Sequence, residues 1–220
     1  MKNISGYFSE LLLLLLLAQP ARGQDTLRTY GPRIGIDLAR FGYLFTDPRQ
    51  VGAEFSLDAE IYPDIYPVVE AGYNSISGGG GSFDYASSGM YARLGADYNL
   101  LPAKEKSIHH SITAGIRYGV SFFSHRAGRI VIQSDYWGDY MLDSYSRKLT
   151  GHWLELAGGV KTELAANLFL GWSVRYKILI NPEMDPQVTP RLVPGYGPGT
   201  GQRGFGFSYH LMYKIPLLKK

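Results

Sequence analysis

The 220-residue sequence predicts an all-β fold, an eight-stranded antiparallel up-and-down transmembrane β-barrel, and three observations favour it. Segments in which apolar and polar side chains alternate recur eight times, and no helical pattern separates them. The segments approach the length that a tilted strand needs to cross the hydrocarbon layer of a bilayer. Short and long connections alternate between them, as in outer-membrane barrels.

The first two segments show the alternation directly. The first extends from about Ile34 to Phe45 and ends at the turn 46–49. The second extends from Val51 to Ile61, with apolar residues at odd positions and Gly, Glu, Ser and Asp at even ones. Successive side chains of a strand point to opposite faces, so each segment has an apolar and a polar face. Pro63 ends the second segment, because proline cannot donate to a strand ladder.

The next three segments repeat this pattern. The third lies near Val68 to Ile76 and leads into the glycine-rich stretch 77–82, which we expect to be flexible. The fourth is Met90 to Leu100, where apolar residues at even positions alternate with Tyr, Arg, Gly, Asp and Asn. The fifth extends from Ser111 to Phe123 and precedes a long connection.

The last three segments complete the barrel. The sixth extends from Trp153 to Leu164 and is joined by a minimal turn, 165–167, to the seventh, Leu168 to Ile178. The eighth extends from Phe205 to Ile215. An even number of strands and no helix between them are typical of an up-and-down barrel.

Connection lengths predict which end faces the outside. The third, fifth and seventh connections have about 14, 28 and 23 residues, and the even-numbered ones have fewer than about ten. Outer-membrane barrels have short periplasmic turns and longer external loops, so we expect both termini in the periplasm. The first connection is also short, which departs from the pattern.

Composition narrows the class of protein. The net charge is +3 and the basic residues are scattered singly, so nothing indicates a nucleic-acid partner. The chain has no cysteine, which excludes disulfides, thiolate metal sites and a lipid-modified cysteine.

Residues 1–23 are expected to be a secretory signal peptide. Lys2 begins a short n-region, residues 11–18 form the apolar h-region, and Ala21 and Gly23 offer small residues before a cleavage site at Gln24. The apolar run is far shorter than the roughly 20 residues of a membrane-spanning helix. The remaining residues, 24–220, are expected to form a single outer-membrane barrel domain.

A soluble lipocalin-like barrel is the structural alternative, because it has the same period with the faces inverted. Three features favour the membrane: glycine and both charge signs on the polar face, aromatic residues at strand ends, and the absence of the disulfides usual in a secreted carrier. The polar face is therefore expected to line a lumen.

The lumen of an eight-stranded barrel is only wide enough to be filled by side chains. Charges there should pair, since an unpaired buried charge is costly, and a diffusion pore is not expected. The predicted lumen charge network comprises Glu54, Asp58, Glu70, Arg93, Asp97, Arg117, Glu155, Lys161, Arg175 and Lys177.

Two long connections are candidate partner-binding surfaces. The fifth carries Tyr136, Trp137 and Tyr140, and exposed aromatic residues are frequent interface anchors. The last has a proline at every fourth position from residue 182 to 198, which lowers the entropy lost on docking. Its candidates are Pro194, Gly195 and Tyr196. A lid folded over the barrel mouth is the other interpretation, and both stay open.

Catalytic and metal sites are not indicated. No G-x-S-x-G, H-E-x-x-H or phosphate-loop motif occurs. The best hydrolytic group would use His152 and Glu155 with a nearby serine, but their three-residue spacing puts the two side chains on opposite faces of a strand. Asp135, Asp139 and Asp143 could bind a hard cation, but loop aspartates more often form turns. We therefore expect no metal and no cofactor.

Several stretches, mainly in the C-terminal half, carry a family resemblance. They are Ser134–Asp139 (SDYWGD), Gly151–Leu156 (GHWLEL), Gly171–Lys177 (GWSVRYK), Val193–Gly197 (VPGYG) and Gly204–Pro216. Together they resemble a family of small outer-membrane β-barrels of unknown function from Bacteroidota, over roughly residues 31–217. The resemblance implies the barrel and an envelope location. It also implies an accessory role in a larger envelope machine, such as one that assembles outer-membrane proteins.

The expected function is therefore non-enzymatic. We expect an outer-membrane scaffold or accessory subunit that contacts outer-membrane lipid and binds a protein partner through its long loops or its wall. A lipid-modifying enzyme is the first alternative, and a soluble lipocalin-like carrier is the second.

Overall fold

The computed structural model describes residues 29–40, 42, 49–80, 83–101, 110–128, 130–132, 140–142, 144–182 and 184–219. The predicted signal peptide lies outside these residues, so its expected removal stays a prediction. Among the described residues, no helix is both long enough and apolar enough to cross a membrane.

Twelve strands follow one another along the described chain. They are β1 (Thr29–Tyr30), β2 (Arg33–Asp37), β3 (Gln50–Asp58), β4 (Ile65–Gly80), β5 (Phe83–Asn99), β6 (His110–Gly128), β7 (Ile130–Ile132), β8 (Tyr140–Leu142), β9 (Tyr145–Ala165), β10 (Leu168–Leu179), β11 (Arg203–Lys214) and β12 (Leu218–Lys219).

Eight of these strands close into one barrel. Its order is β10-β11-β2-β3-β4-β5-β6-β9, and every neighbouring pair is antiparallel. The chain meets itself where β11 pairs with β2, with Tyr213 opposite Ile34. β1 pairs with β12 and β7 with β8 outside the barrel. The predicted eight-stranded antiparallel barrel is confirmed.

The two faces of the barrel wall have opposite chemistry. Leu94 and Ile116 point outward and are 64% and 55% exposed, whereas Arg93 and Arg117 point inward and are 1% and 5% exposed. A lipocalin-like barrel would have the apolar side chains inside. Charges fill the interior here, and apolar side chains cover the outside.

The first strand is shorter than predicted. The chain leaves the sheet after Asp37, and residues 38–40 are helical instead of continuing to Phe45. The Asp37 carboxylate accepts hydrogen bonds from the backbone N–H groups of Ala39, at 3.0 Å, and Tyr209, at 2.9 Å. An aspartate that binds the N–H two residues ahead favours a turn over a strand. β2 ends at Asp37 and β3 begins at Gln50, so the interval between these two strands is longer than predicted.

The glycine-rich stretch was also predicted wrongly. β4 continues to Gly80 and pairs with β5, which begins at Phe83, so the expected flexible loop is largely a strand ladder. Ladder hydrogen bonds use the backbone, and they form on glycine and serine when a partner strand lies alongside. Four neighbouring strands, β4, β5, β6 and β9, have 16 to 21 residues, and they extend one wall beyond the rest of the barrel.

Candidate functional site

The barrel interior holds the candidate site. All ten residues of the predicted lumen charge network point into the lumen and lie in one connected group of ion pairs. Each lies on the polar face of its strand, so alternation alone sets its direction. The group has two layers along the barrel axis.

Arg93 is the centre of the layer nearer the long connections. Its guanidinium contacts the Glu54 carboxylate, and its Nε lies 2.8 Å from Glu70 Oε2. Its Nη1 lies 3.3 Å from Glu155 Oε1. One arginine of β5 thus joins carboxylates from β3, β4 and β9 across the interior.

Arg175 shares the same carboxylates from the opposite wall. It forms a bidentate pair with Glu70, with Nη1–Oε2 and Nη2–Oε1 distances of 2.9 and 2.8 Å. Its Nη1 also lies 3.6 Å from Glu155 Oε2. Two-point pairing of a guanidinium with a carboxylate is both strong and geometrically specific. The two arginines therefore fix three glutamates in the middle of the lumen.

The second layer lies towards the short turns. Arg117 Nη2 lies 3.0 Å from Asp97 Oδ1, and Lys161 Nζ lies 2.8 Å from Asp58 Oδ2. Lys161 also lies 3.4 Å from Asp97, and Arg33 Nε lies 2.5 Å from Asp58 Oδ1. Each aspartate thus has two cationic partners, and the charges are compensated across the strands.

Sequence reasoning missed several members of this network. Tyr91 Oη donates to Glu54 Oε2 at 2.5 Å, and Trp153 Nε1 donates to Glu155 at 2.6 Å. Both lie on the polar faces of their strands, so the alternation could have predicted that they point into the lumen. Arg40 Nη2 binds Glu54 at 3.0 Å from the helical turn after β2. No alternation marks that turn, so the sequence carried no signal for Arg40.

The space left inside is small. A cavity of about 30 Å³ lies between the layers, beside Ser56, Arg117, Ser173 and His210. That volume holds roughly one or two water molecules. The Ser56 and Ser173 hydroxyls have no hydrogen-bond partner in the described protein, which fits solvation there. This cavity is too small for a substrate.

The connection 180–202 closes the mouth of the barrel. Lys177 Nζ donates to the carbonyl oxygens of Gly195, at 2.7 Å, and Tyr196, at 3.0 Å. Ser87 Oγ donates to Leu192 O at 2.9 Å from the extended wall. The connection is therefore held by side chains that point inward from two sides of the barrel.

An apolar cluster lies beneath this closure. Val193 and Tyr196 are buried against Trp153, with the Trp153 and Tyr196 ring centroids 6.1 Å apart. Gly195 has a φ of +78°, and a Cβ there would lie 2.5 Å from ring atoms of Tyr91. Only glycine accepts that backbone conformation at such close approach without strain.

Asp185 attaches the start of the connection to the extended wall. Its carboxylate accepts from Tyr145 Oη at 2.7 Å and lies 2.8 Å from His125 Nε2. Arg147 Nη1 is 3.4 Å away, and the backbone N–H of Gln187 donates at 3.0 Å. Burial alone would raise the pKa of Asp185, but these hydrogen bonds outweigh it and hold that pKa well below its usual range.

The predicted partner-binding residues have different outcomes. Pro194, Gly195 and Tyr196 are buried in the barrel mouth, as the lid interpretation expects, and their part in partner binding stays a prediction. They belong to a lid, because Lys177 and the apolar cluster draw them inward. Tyr140 lies in β8, opposite Ile132, and Tyr136 and Trp137 lie outside the described residues.

The structure does not bring together the residues of the possible hydrolytic group. His152 faces outward, with Nδ1 2.7 Å from Tyr118 Oη, whereas Glu155 faces the lumen, so the two form no hydrolytic group. Asp135, Asp139 and Asp143 lie outside the described residues.

One group of three potential metal ligands occurs among the described residues. Ligand atoms of Asp37, Glu54 and His210 lie within 4.8 Å of one another. The guanidinium groups of Arg40 and Arg93 already contact the Glu54 carboxylate, and two adjacent cations oppose the binding of a metal ion there.

Comparison with known proteins gives a family. The family described as "Domain of unknown function (DUF6048)" matches residues 3–220. No curated protein matches the sequence.

Several solved structures resemble the barrel. Ail, the attachment invasion locus protein of Yersinia pestis, is 11% identical with a TM-score of 0.39, over 86% of this chain and 100% of its own. Neisserial surface protein A is 11% identical with a TM-score of 0.42, over 87% and 100%. Acinetobacter baumannii CarO is 9% identical with a TM-score of 0.43, over 86% and 98%.

Proposed function

The chain belongs to the DUF6048 family, and we propose that it is a sealed outer-membrane β-barrel that serves as a scaffold or accessory subunit of a larger envelope complex. The observation that carries this proposal is the inverted wall: apolar side chains cover the outside, and ion pairs and a lid fill the inside.

The height of the apolar wall supports membrane insertion. On β6, the outward side chains from Ile112 to Phe122 are all apolar or aromatic, and most are at least 45% exposed. Ten residue steps span roughly 34 Å along a strand, or about 26 Å along the axis of a barrel whose strands tilt by about 40°. Outer-membrane barrels have an apolar band about 25 Å tall. The wall therefore has the dimensions of a lipid-facing surface.

The filled interior favours a scaffold over a channel. Arg93, Arg175 and their three glutamates cross the lumen, and the connection 180–202 closes one end. Opening a path for solutes would separate buried ion pairs, which is costly in free energy. Diffusion through this barrel is therefore not its function.

A partner would bind outside the lid. With Pro194, Gly195 and Tyr196 enclosed, the fifth connection, which includes the β7–β8 hairpin, is the remaining candidate surface. Tyr136, Trp137 and Tyr140 are its proposed anchors, since aromatic residues dominate binding energy at interfaces. A complex that assembles outer-membrane proteins is one setting for such a subunit.

Gentle detergent extraction from native membranes tests the proposal. We expect the full-length protein to migrate in a complex larger than the monomer, and replacement of residues 133–139 by a Gly/Ser spacer to release it as a monomer. The same preparation should give no stepwise conductance in a planar bilayer. A wild-type monomer, steady channel openings, or altered membrane lipid after gene deletion would contradict the scaffold, and the last would favour an enzyme.

A further inference from the structure

The outer surface changes character where the four long strands rise above the apolar wall. The register aligns outward side chains of β4, β5, β6 and β9 in successive rows across the sheet. The last row of the apolar wall contains Tyr73, Met90, Phe122 and Thr150. The next row contains Ser75, Ser88, Ser124 and Lys148, and the one above contains Ser77, Ala86, Arg126 and Ser146.

We name five of these residues the outer-rim patch: Ser75, Ser88, Ser124, Arg126 and Lys148. Arg126 lies opposite Ser146, two residues from Lys148, so the two cations are diagonal neighbours on one face. Both are exposed, and neither makes an ion pair with a residue that the structure describes. Asp84 shares this face but lies farther from the apolar wall. Asp84 is a diagonal neighbour of Arg126, and the patch combines two cations that form no ion pair with a described residue with a row of hydroxyl groups.

At the opposite end of the barrel wall, the described strands carry no such feature. Leu100, Ile112 and Val160 remain 54%, 45% and 41% exposed close to the short turns. No lysine or arginine of the described barrel strands faces outward at that end, because Arg33, Lys161 and Lys214 all point inward. On the described barrel strands, outward-facing lysine and arginine therefore lie only at the end of the long connections.

From this asymmetry, we propose that the outer-rim patch binds the phosphate-bearing headgroup of a lipid whose acyl chains lie on the apolar wall below it. The inference rests on the proposed membrane insertion and goes beyond it, since it assigns a ligand class to one place on the wall. Continuity of the patch with the apolar wall selects a lipid as the source of the phosphate.

The depth of the patch fits a headgroup. Ser124 and Arg126 lie two and four residues beyond Phe122, which is roughly 5 and 10 Å along the barrel axis. The polar layer on each side of a bilayer is about 5–7 Å thick, and long arginine and lysine side chains reach back towards it. Lys148, in the row of Ser124, is thus level with lipid phosphates, and Arg126 lies beyond them and reaches them by extending its side chain back towards the membrane.

The chemistry of the patch fits phosphate. A guanidinium can donate two parallel hydrogen bonds to phosphate oxygens, and an ammonium adds a second positive charge. Serine hydroxyls supply further donors without an opposing charge. Neither cation has to leave an ion pair with a described residue before it binds.

Two matched lipids provide the test. Full-length protein in micelles is titrated with phosphatidic acid and with diacylglycerol of identical acyl chains, and bound lipid is measured by native mass spectrometry. We expect wild type to bind phosphatidic acid at least about tenfold more tightly. The double variant R126S/K148S should lose that preference to within about twofold. Arg147→Ser is the control, because it removes a cation adjacent to Lys148 that points to the inner face.

The outcomes separate this inference from the proposed function. Equal binding of the two lipids, or an unchanged preference in R126S/K148S, contradicts headgroup binding at the outer-rim patch but leaves the proposed membrane insertion intact. Displacement of the lipid by millimolar inorganic phosphate identifies a free-phosphate site and also overturns it. Failure of the wild type to insert into bilayers, read by heat-modifiable gel migration, overturns both. Retained preference in Arg147→Ser with loss in R126S/K148S supports the patch.

Discussion

Arg93 connects three strands of the barrel through ion pairs in its interior. It is 1% exposed and contacts the carboxylates of Glu54, Glu70 and Glu155. Each carboxylate lost its hydration on burial, and the guanidinium provides much of the compensation. The ion pairs therefore add little net stability compared with an apolar interior. Removing one member alone is costly, because it leaves its partners as uncompensated buried charges.

Replacing Arg93 should be severely destabilising. We expect Arg93→Met to lower the free energy of unfolding by about 3–5 kcal/mol, because three buried glutamates lose a shared cation. Arg93→Lys should cost less, since it keeps the charge but loses the fork of donors. Urea unfolding of the refolded protein in micelles, followed by tryptophan fluorescence, measures both.

An exposed cation provides the control for that experiment. Arg203→Ser, on the outer face of β11, should change the free energy of unfolding by no more than about 0.5 kcal/mol. If Arg93→Met were as stable as Arg203→Ser, removal of Arg93 would not leave its three glutamates as uncompensated buried charges.

For single residues, the alternation of apolar and polar side chains was sufficient to assign each to the inner or the outer face of the barrel wall. Glu70 and Arg175, like the other eight charges of the predicted network, lie on polar faces and point into the lumen. Which charges pair could not be predicted, because pairing depends on strand register and on the tilt of the wall. The Arg40 contact depends on a local turn, which a period of two does not reveal.

The last connection is the element whose role changed most. Its regularly spaced prolines suggested stiffness, which suits a docking surface and a lid equally well. Contacts between residues distant in sequence favour the lid, because Lys177 binds the carbonyl of Gly195 and Ser87 binds that of Leu192. A sequence without known tertiary neighbours carries no signal for such contacts.

Docking of this connection should persist into mild acid. Asp185 has a depressed folded-state pKa, so its contribution is complete above the unfolded pKa of about 3.9 and is lost as pH falls through the folded pKa. The groups that face it are His125 on β6 and Tyr145 and Arg147 on β9. Limited proteolysis should find residues 180–202 protected from neutral pH to about pH 4.

A neutral variant checks the cause of that protection. Asp185→Asn keeps the size of the side chain but removes the charge, and we expect cleavage of the connection at every pH. Loss of protection in the wild type between neutral pH and pH 5, or equal protection in Asp185→Asn, would contradict a role for the Asp185 carboxylate.

Strand boundaries were predicted least well. The first strand ends early because the Asp37 side chain binds backbone N–H groups, and the glycine-rich stretch is extended because β5 lies beside it. One error came from a local side-chain bond, and the other from a partner strand. Neither changes which side chains of the central wall face outward.

On the scale of the whole molecule, two asymmetries define the protein. Across the wall, apolar side chains lie outside and ion pairs inside. Along the axis, the short turns adjoin bare apolar surface, whereas the long connections, the lid and the outer-rim patch lie together at the other end. Both asymmetries follow if the barrel is inserted in one direction in a membrane.

Site-directed spin labelling in lipid vesicles tests that arrangement most directly, because the chain has no native cysteine. Single cysteines at Leu94, Ile116 and Ser124 would carry the label. We predict that labels at Leu94 and Ile116 collide readily with molecular oxygen and are shielded from a water-soluble nickel chelate, while the label at Ser124 is reached by the chelate. If the chelate reached Leu94 and Ile116 as readily as Ser124, the apolar wall would not face lipid.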